Sequence, residues 1–215
     1  EFPAQIAQVA LWLADHQMNL RVSEEFGLYF ARIPLKSTPH VVHGNALTLD
    51  WNDVLPAQRC SYVLGNPPFV GAKFTSEAQR EDARLAFNGI DNAGLLDFVA
   101  AWYVKATQYL QPVVPRAGVE PARPRCAFVS TNSITQGEQV GVLWGWLLAQ
   151  GVHIHFAHRT FSWSNEAKGK AAVHCVIVGF GLDDRPDKTL YEYEDIKGEP
   201  LAVPAKNINP YLVDA

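Results

Sequence analysis

The tetrapeptide Asn66-Pro67-Pro68-Phe69 is the part of this sequence best suited to chemistry. Two successive prolines fix two φ angles and remove two backbone donors, so the loop presents carbonyl oxygens, one side-chain amide and an aromatic ring in a stiff frame. If the Asn66 side-chain oxygen and the Pro67 carbonyl both accept hydrogen bonds from one amino group, they draw its lone pair out toward a reaction partner. The tetrapeptide therefore predicts a site that activates an amine. The alternative is a proline turn that merely caps a strand.

The elements around the tetrapeptide place it where α/β proteins gather their ligands. Residues 61–65 (SYVLG) predict a buried strand that ends directly before Asn66, and open α/β sheets bind ligands at the carboxyl ends of their strands. Hydrophobic periodicity predicts further strands and helices along the chain. The predicted strands are 40–43, 61–65, 126–130, 152–158 and 171–180, and the predicted helices are 3–19, 75–88, 94–110 and 138–148.

The order of these elements predicts an α/β fold with a mostly parallel sheet, because strands alternate with helices. The last two strands have no helix between them, so we expect them to be antiparallel neighbours joined by the loop 159–170. Residues 112–125 contain four prolines and predict an exposed loop. The domain division that follows is 1–182 for the α/β domain and 183–215 for a tail or linker, where charges and prolines replace the periodic pattern.

Composition limits the class of protein. Of the 215 residues, 48% are hydrophobic and 19% are charged, as in an ordinary globular domain. The three cysteines, Cys60, Cys126 and Cys175, lie far apart, which favours buried thiols over disulfides or a metal site. No apolar stretch reaches the roughly 20 residues that a membrane-spanning helix needs, and we predict a cytoplasmic location with no membrane partner.

Two other kinds of site are poorly supported by the sequence. His153, His155 and His158 lie close in sequence, but no cluster of carboxylates or cysteines accompanies them, so we predict no metal. Ser130 follows a strand but lacks the glycines of a nucleophile elbow, which argues against a serine hydrolase. The run 164–170 (SNEAKGK) reads as a surface loop whose lysines could approach a nucleic-acid backbone.

The chain resembles the class I amino-methyltransferases, whose signature is (D/N/S)PP(Y/F), and within them the methyltransferase part of MmeI-like restriction-modification enzymes. The resemblance covers nearly the whole chain. Asn66-Pro67-Pro68-Phe69 is the one diagnostic motif, and the order of the other matches narrows the family. These are FPAQIAQVALWLADHQMN from residue 2, GNAL at 44–47, LGNPPFVG at 64–71, LLDFVAAWY at 95–103, CAFVSTNSITQGEQV at 126–140 and RTFSWSNEAKGKAAVHCVIVGF at 159–180.

This resemblance implies a partial seven-stranded, Rossmann-like methyltransferase fold with an antiparallel last strand. It also implies S-adenosyl-L-methionine as cofactor and double-stranded DNA as partner, with methyl transfer to N6 of an adenine flipped out of the duplex. Asn66, Pro67, Pro68 and Phe69 match the catalytic loop, in which Phe69 would stack on the base. Asn45 and Ala46 match the contact to the cofactor's adenine, although Asn45 also reads as a turn residue. Phe161 and Trp163 match the place of an aromatic that holds the extruded base, with a packing role as the alternative.

The departures from the family pattern are as informative as the matches. The Asp-x-x-x-Gly-x-Gly loop that cradles the methionine part of the cofactor, and the acidic residue that binds its ribose, are absent from this sequence. Both are expected upstream of Glu1, and a target-recognition domain is expected beyond residue 215. We therefore expect the isolated chain to bind the cofactor poorly and to be inactive, and to associate with itself through unpaired strand edges.

Functional alternatives to N6-adenine methylation of DNA remain from the sequence. RNA-base and protein-glutamine methyltransferases also use N-P-P-(Y/F), and N4-cytosine enzymes more often have serine at the first position. A non-catalytic nucleic-acid-binding or assembly domain that retains the fold is the rival from another class. The formal net charge of −4 argues against a strongly basic binding surface within this chain, so DNA is expected to be gripped through the complete protein.

Overall fold

A computed structural model describes residues 2–27, 39–111, 124–163 and 173–215, and the chain divides into two compact units, residues 1–49 and 50–215. Most of the predicted loop 112–125 and all of the run 164–170 lie outside the described residues. Among the described helices, none combines the length and apolar character that crossing a bilayer requires.

The first unit contains one long helix, α1 (Phe2–Phe26), which confirms the predicted helix and extends it by seven residues beyond Asn19. No residue of α1 is buried. The strand predicted at 40–43 is wrong, because these residues have no regular structure. A strand requires a neighbouring backbone to complete its hydrogen bonds, and within the described ranges no segment pairs with 40–43.

The second unit is built on a six-stranded sheet with the order β1-β2-β4-β3-β5-β6. The strands are β1 (Tyr62–Gly65), β2 (Arg125–Thr131), β3 (His153–Trp163), β4 (Val173–Gly181), β5 (Lys188–Glu192) and β6 (Leu201–Ala205). The pairs β1–β2 and β3–β5 are parallel, whereas β4 is antiparallel to both β2 and β3, and β6 is antiparallel to β5. The partial Rossmann-like α/β fold and the antiparallel pairing of β3 with β4 are confirmed, although the described sheet is mixed rather than mostly parallel.

Strands β5 and β6 lie in the segment 183–215, for which the sequence pattern predicts a tail or linker. That prediction is wrong for these ten residues, because both strands are hydrogen-bonded members of the sheet. Each strand is only five residues long and carries charges or a proline, so neither gives a clear apolar period. The domain boundary at 182/183 stays a prediction.

Helices precede and connect the first three strands of the second unit. They are α2 (Trp51–Val54), α3 (Glu77–Ala86), α4 (Ala100–Leu110), α5 (Gly137–Gln139) and α6 (Gly145–Ala149). A capping box of Ser76 and Gln79 starts α3, whose predicted position is confirmed. Helix α4 begins six residues later than predicted, after a short 3-10 turn at Ala93–Leu95. Helices α5 and α6 are joined without a break by a π-helical segment, Val140–Trp144.

Helix α4 forms the centre of the core against one face of the sheet. Tyr103 on α4 is fully buried and stacks on Phe180 of β4, with ring centroids 5.3 Å apart, while the edges of Phe128 and Trp144 contact it. Its hydroxyl lies 2.8 Å from the hydroxyl of Ser130, which is also fully buried. Burial raises the pKa of Tyr103, so the phenol keeps its proton.

Replacing Tyr103 by phenylalanine is expected to lower the free energy of unfolding by about 1–3 kcal/mol, because the buried Ser130 hydroxyl then loses its partner. Chemical denaturation of the purified protein measures this change. Ser130→Ala and the double variant complete a cycle, in which the double variant should cost less than the sum of the two single changes. Additive costs would show that the two hydroxyls do not interact.

Candidate active site

The structure places Asn66-Pro67-Pro68-Phe69 directly after β1, at the carboxyl end of a strand that pairs in parallel with β2. Asn66 and Pro68 are exposed, Pro67 is buried and Phe69 is half-buried. The buried proline packs the loop against the domain, while Asn66 as a residue is exposed. The loop therefore has the arrangement that acceptance of an external amino group requires: a rigid backbone with an accessible side-chain oxygen.

Phe161 and Trp163 lie at the same end of the sheet as this loop. Strands β1, β2 and β3 run in one direction, because β1 is parallel to β2, and both β2 and β3 are antiparallel to β4. Phe161 lies opposite Cys175 of β4, which lies opposite Thr131 at the end of β2. Phe161 is half-buried and Trp163 is 38% exposed. The structure thus places the predicted catalytic loop and the predicted base-holding aromatics at the same end of the sheet, where β1, β2 and β3 finish.

Phe161 belongs to an aromatic group of which the sequence pattern indicates only a part. Its ring stacks on Tyr193 at 5.5 Å, and the Tyr193 hydroxyl lies 2.8 Å from Nδ1 of His158. His158 in turn stacks on Tyr191, with centroids 4.1 Å apart and planes 4° apart. Burial lowers the pKa of His158, which favours the neutral ring as a partner of the hydroxyl. Tyr191 lies in β5 and Tyr193 directly follows it, in a segment whose sequence gives no clear apolar period, so no local signal identifies these tyrosines.

Asn45 and Ala46, the predicted cofactor contacts, lie in a turn of the first unit. The Asn45 side-chain oxygen accepts from the Leu47 backbone N–H at 3.0 Å, and its carbonyl accepts from the backbone of Thr48 and Leu49. Asn45 is therefore a turn-forming residue, as the alternative interpretation predicts. Asn45 is also exposed, so a role in cofactor binding stays a prediction.

One Gly-x-Gly sequence does occur in the chain, Gly179-Phe180-Gly181, and it lies inside β4. A side chain at Gly179 would collide with the ring of Phe156. The glycine is needed for the close approach of a neighbouring aromatic, since no Cβ fits there. This sequence serves packing within the sheet and does not form a cofactor loop between a strand and a helix.

The three histidines of β3 make separate contacts. His155 Nε2 lies 2.7 Å from the Asp183 carbonyl, His153 Nδ1 lies 3.6 Å from Asp184, and His158 contacts Tyr193. Burial lowers the pKa of His155, against the opposing effect of Asp183. In the described part of the chain, no group of three or more His, Cys, Asp or Glu residues is arranged to hold a metal ion.

A cavity of about 390 Å³ lies beside the segment that continues from the tetrapeptide. Its lining includes Ala72 and Thr75 from this segment, Phe87 after α3, and Leu96 and Phe98 before α4. No residue of 66–69 lines this cavity. This cavity is therefore separate from the tetrapeptide itself.

Comparison with known proteins decides the family. The family model described as "MmeI, DNA-methyltransferase domain" matches residues 1–192, which is most of the chain. The chain belongs to this family. As a member of the MmeI methyltransferase domains, it is 37% identical over 218 residues to DNA methyltransferase A of Bacillus subtilis (strain 168), with all of this chain covered.

A solved structure agrees with this assignment. The chain is similar to the Type IIL restriction-modification enzyme MmeI, whose structure was solved in complex with DNA, at 62% sequence identity and a TM-score of 0.85 over 99% of this chain. The chain spans 23% of the length of the Bacillus subtilis relative and 27% of that of the MmeI chain. The match to the MmeI family confirms the resemblance that rests on LGNPPFVG and the motifs around it.

Proposed function

We propose that this domain transfers a methyl group from S-adenosyl-L-methionine to N6 of a flipped adenine in double-stranded DNA, within a restriction-modification protein. The observation that supports this proposal is the position of Asn66-Pro67-Pro68-Phe69 at the carboxyl end of β1, in a chain of the MmeI methyltransferase family. The exposed amide of Asn66 on a proline-stiffened backbone suits an amino group presented from outside the domain.

Each of the predicted site residues at this end of the sheet has a proposed role. The Asn66 side-chain oxygen and the Pro67 carbonyl accept hydrogen bonds from the adenine amino group, which directs its lone pair at the methyl group. When bound, S-adenosyl-L-methionine supplies that methyl group in electrophilic form. Phe69 stacks on the extruded base, and Phe161, with Trp163 beyond it, borders the base from β3. Flipping costs a few kcal/mol, and stacking on such aromatics offsets part of this cost.

The described residues fit only part of the cofactor. Asn45 and Ala46 are proposed to contact its adenine from an exposed turn. The sequence contains no Asp-x-x-x-Gly-x-Gly loop, and the single Gly-x-Gly is occupied by packing in β4. We therefore propose that binding of the methionine and ribose parts depends on residues other than these 215.

The proposed partners follow from charge and from the open strand edge. With a net charge of −4, the chain is proposed to meet DNA as part of the complete protein, in the cytoplasm. In the described sheet β1 pairs on one side with β2 and forms an edge, where Tyr62 and Leu64 are 64% and 75% exposed. Such an edge supports the prediction that the isolated chain associates with itself.

The proposal is tested by methyl transfer with the full-length protein and a cofactor labelled on its methyl group. DNA, RNA and protein are offered as acceptors, and the labelled product is digested and identified by mass spectrometry. We expect label in DNA, recovered as N6-methyladenine. Label in RNA, in protein glutamine or in N4-methylcytosine would show that the substrate is not the proposed adenine of DNA. Absence of label in every acceptor would favour the non-catalytic binding domain.

A further inference from the structure

The segment that continues from the tetrapeptide, residues 70–72, is fastened by the residues that precede α4. The Val70 carbonyl accepts from the Phe98 backbone N–H at 3.0 Å, and the Ala72 N–H donates to Oδ1 of Asp97 at 3.0 Å. Pro67 and Pro68 have no backbone N–H, so they cannot fasten the loop by donating hydrogen bonds themselves. The contacts at 70–72 are therefore the described hydrogen bonds closest to its downstream end.

Asp97 connects this segment to two other parts of the domain, the turn after β2 and helix α5. Its second carboxylate oxygen accepts from the Ser133 hydroxyl at 2.5 Å, in the turn after β2, and Ser133 is also 2.8 Å from the Thr131 hydroxyl. The Asp97 backbone N–H donates to Oε1 of Gln139, at the end of α5. The half-buried Asp97 thus joins Ala72, downstream of the tetrapeptide, to the turn after β2 through its carboxylate, and contacts α5 through its backbone N–H.

We propose that Asp97 is a positioning residue for the reaction, which holds residues 70–72 so that the oxygens of Asn66 and Pro67 stay directed at the amino group. This inference rests on the proposed function. Hydrogen bonds to a carboxylate are about twice as strong as neutral ones, which suits a fixed anchor. Displacement of a reacting geometry by about 1 Å costs on the order of 100-fold in rate, so an anchor that is remote from the chemistry can control kcat.

The experiment compares Asp97→Ala and Asp97→Asn with Asp91→Ala in the full-length protein. Asp91 is exposed and lies in the same connection between α3 and α4, so it provides a matched loss of one carboxylate. We expect Asp97→Ala to lower kcat by about 10–100-fold while KM for DNA and Kd for the cofactor change less than about threefold. Asp97→Asn should recover part of kcat, because its amide oxygen can still accept from Ala72. Asp91→Ala should leave kcat unchanged.

Thermal unfolding of each variant separates positioning from a merely structural role. If Asp97→Asn loses as much kcat as Asp97→Ala, or if both lose kcat only in proportion to folded protein, the inference is overturned. Asn66→Ala serves as the reference in the same assay. Should Asp97→Ala retain full kcat while Asn66→Ala is inactive, Asp97 has no positioning role and the proposed function stands. If Asn66→Ala is also fully active, the proposed function itself fails.

Discussion

Replacement of Asn66 by alanine in the full-length protein is expected to lower kcat for methyl transfer by about 10²–10³-fold. Removal of one preorganised hydrogen-bonding partner from a reacting group typically has an effect of this size. Asn66 is exposed at the end of β1, so its truncation leaves the core intact and the variant should unfold at the temperature of the wild type. Single-turnover kinetics with a DNA duplex containing the recognition site measures the change directly.

The control for this prediction is Asn66→Asp. Its carboxylate keeps an acceptor at the same position, and aspartate is the alternative first residue of the (D/N/S)PP(Y/F) signature. We expect Asn66→Asp to retain more activity than Asn66→Ala, and both variants to bind DNA with an affinity close to that of the wild type. Equal turnover by Asn66→Ala and wild type would exclude the side-chain oxygen from the reaction.

Replacement of Phe69 by alanine is expected to have the second large effect, a loss of kcat/KM for DNA. Stacking of a base on an aromatic ring contributes about 1–3 kcal/mol, so loss of the ring should lower kcat/KM for DNA by about 5–150-fold. Phe69 is half-buried, so part of its ring is accessible to a base beside the two prolines. A duplex with 2-aminopurine at the target position reports whether the base still leaves the stack, since its fluorescence rises on extrusion.

Phe69→Tyr distinguishes the loss of the aromatic ring from general damage to the loop. Tyrosine keeps the aromatic face and is the other residue found at this position of the signature, so its kcat/KM should remain within about threefold of the wild type, a change of less than 1 kcal/mol. If Phe69→Ala retains normal fluorescence and turnover, the base is held by other residues, and Phe161 becomes the first of these to replace.

Much of the site could be predicted because its signals are local. The strand before Asn66, the capping box of α3 and the buried strand at 126–130 each depend on residues close in sequence. Of the two missed strands, β5 depends on a distant partner, because it adds in parallel to β3, and β6 pairs in the described sheet only with β5, which was itself missed. Pro204 in β6 is tolerated because β6 lies at the edge of the described sheet, and the same proline weakens any prediction of a strand.

Asp97 could not have been identified from the sequence as an anchor. Its side chain accepts from residues 25 and 36 positions away, Ala72 and Ser133, and its backbone donates to Gln139, 42 positions away. In the sequence it lies within an apolar run that reads as the first turns of a helix. Only the folded chain shows that the helix starts later and that the aspartate is free of it. The same holds for the tyrosines around Phe161, which come from a segment without a clear period.

The wide turn at Val140–Trp144 has a consequence for how relatives are aligned. A π-helical turn accommodates one more residue than an ordinary helical turn, and here it lies between Gln139, which contacts Asp97, and the buried Leu147. In a homologue that is one residue shorter at this point, either the residue at position 139 would turn away from Asp97 or the residue at position 147 would turn away from the core. An alignment gap within 140–144 would therefore signal a domain whose loop is fastened by different means.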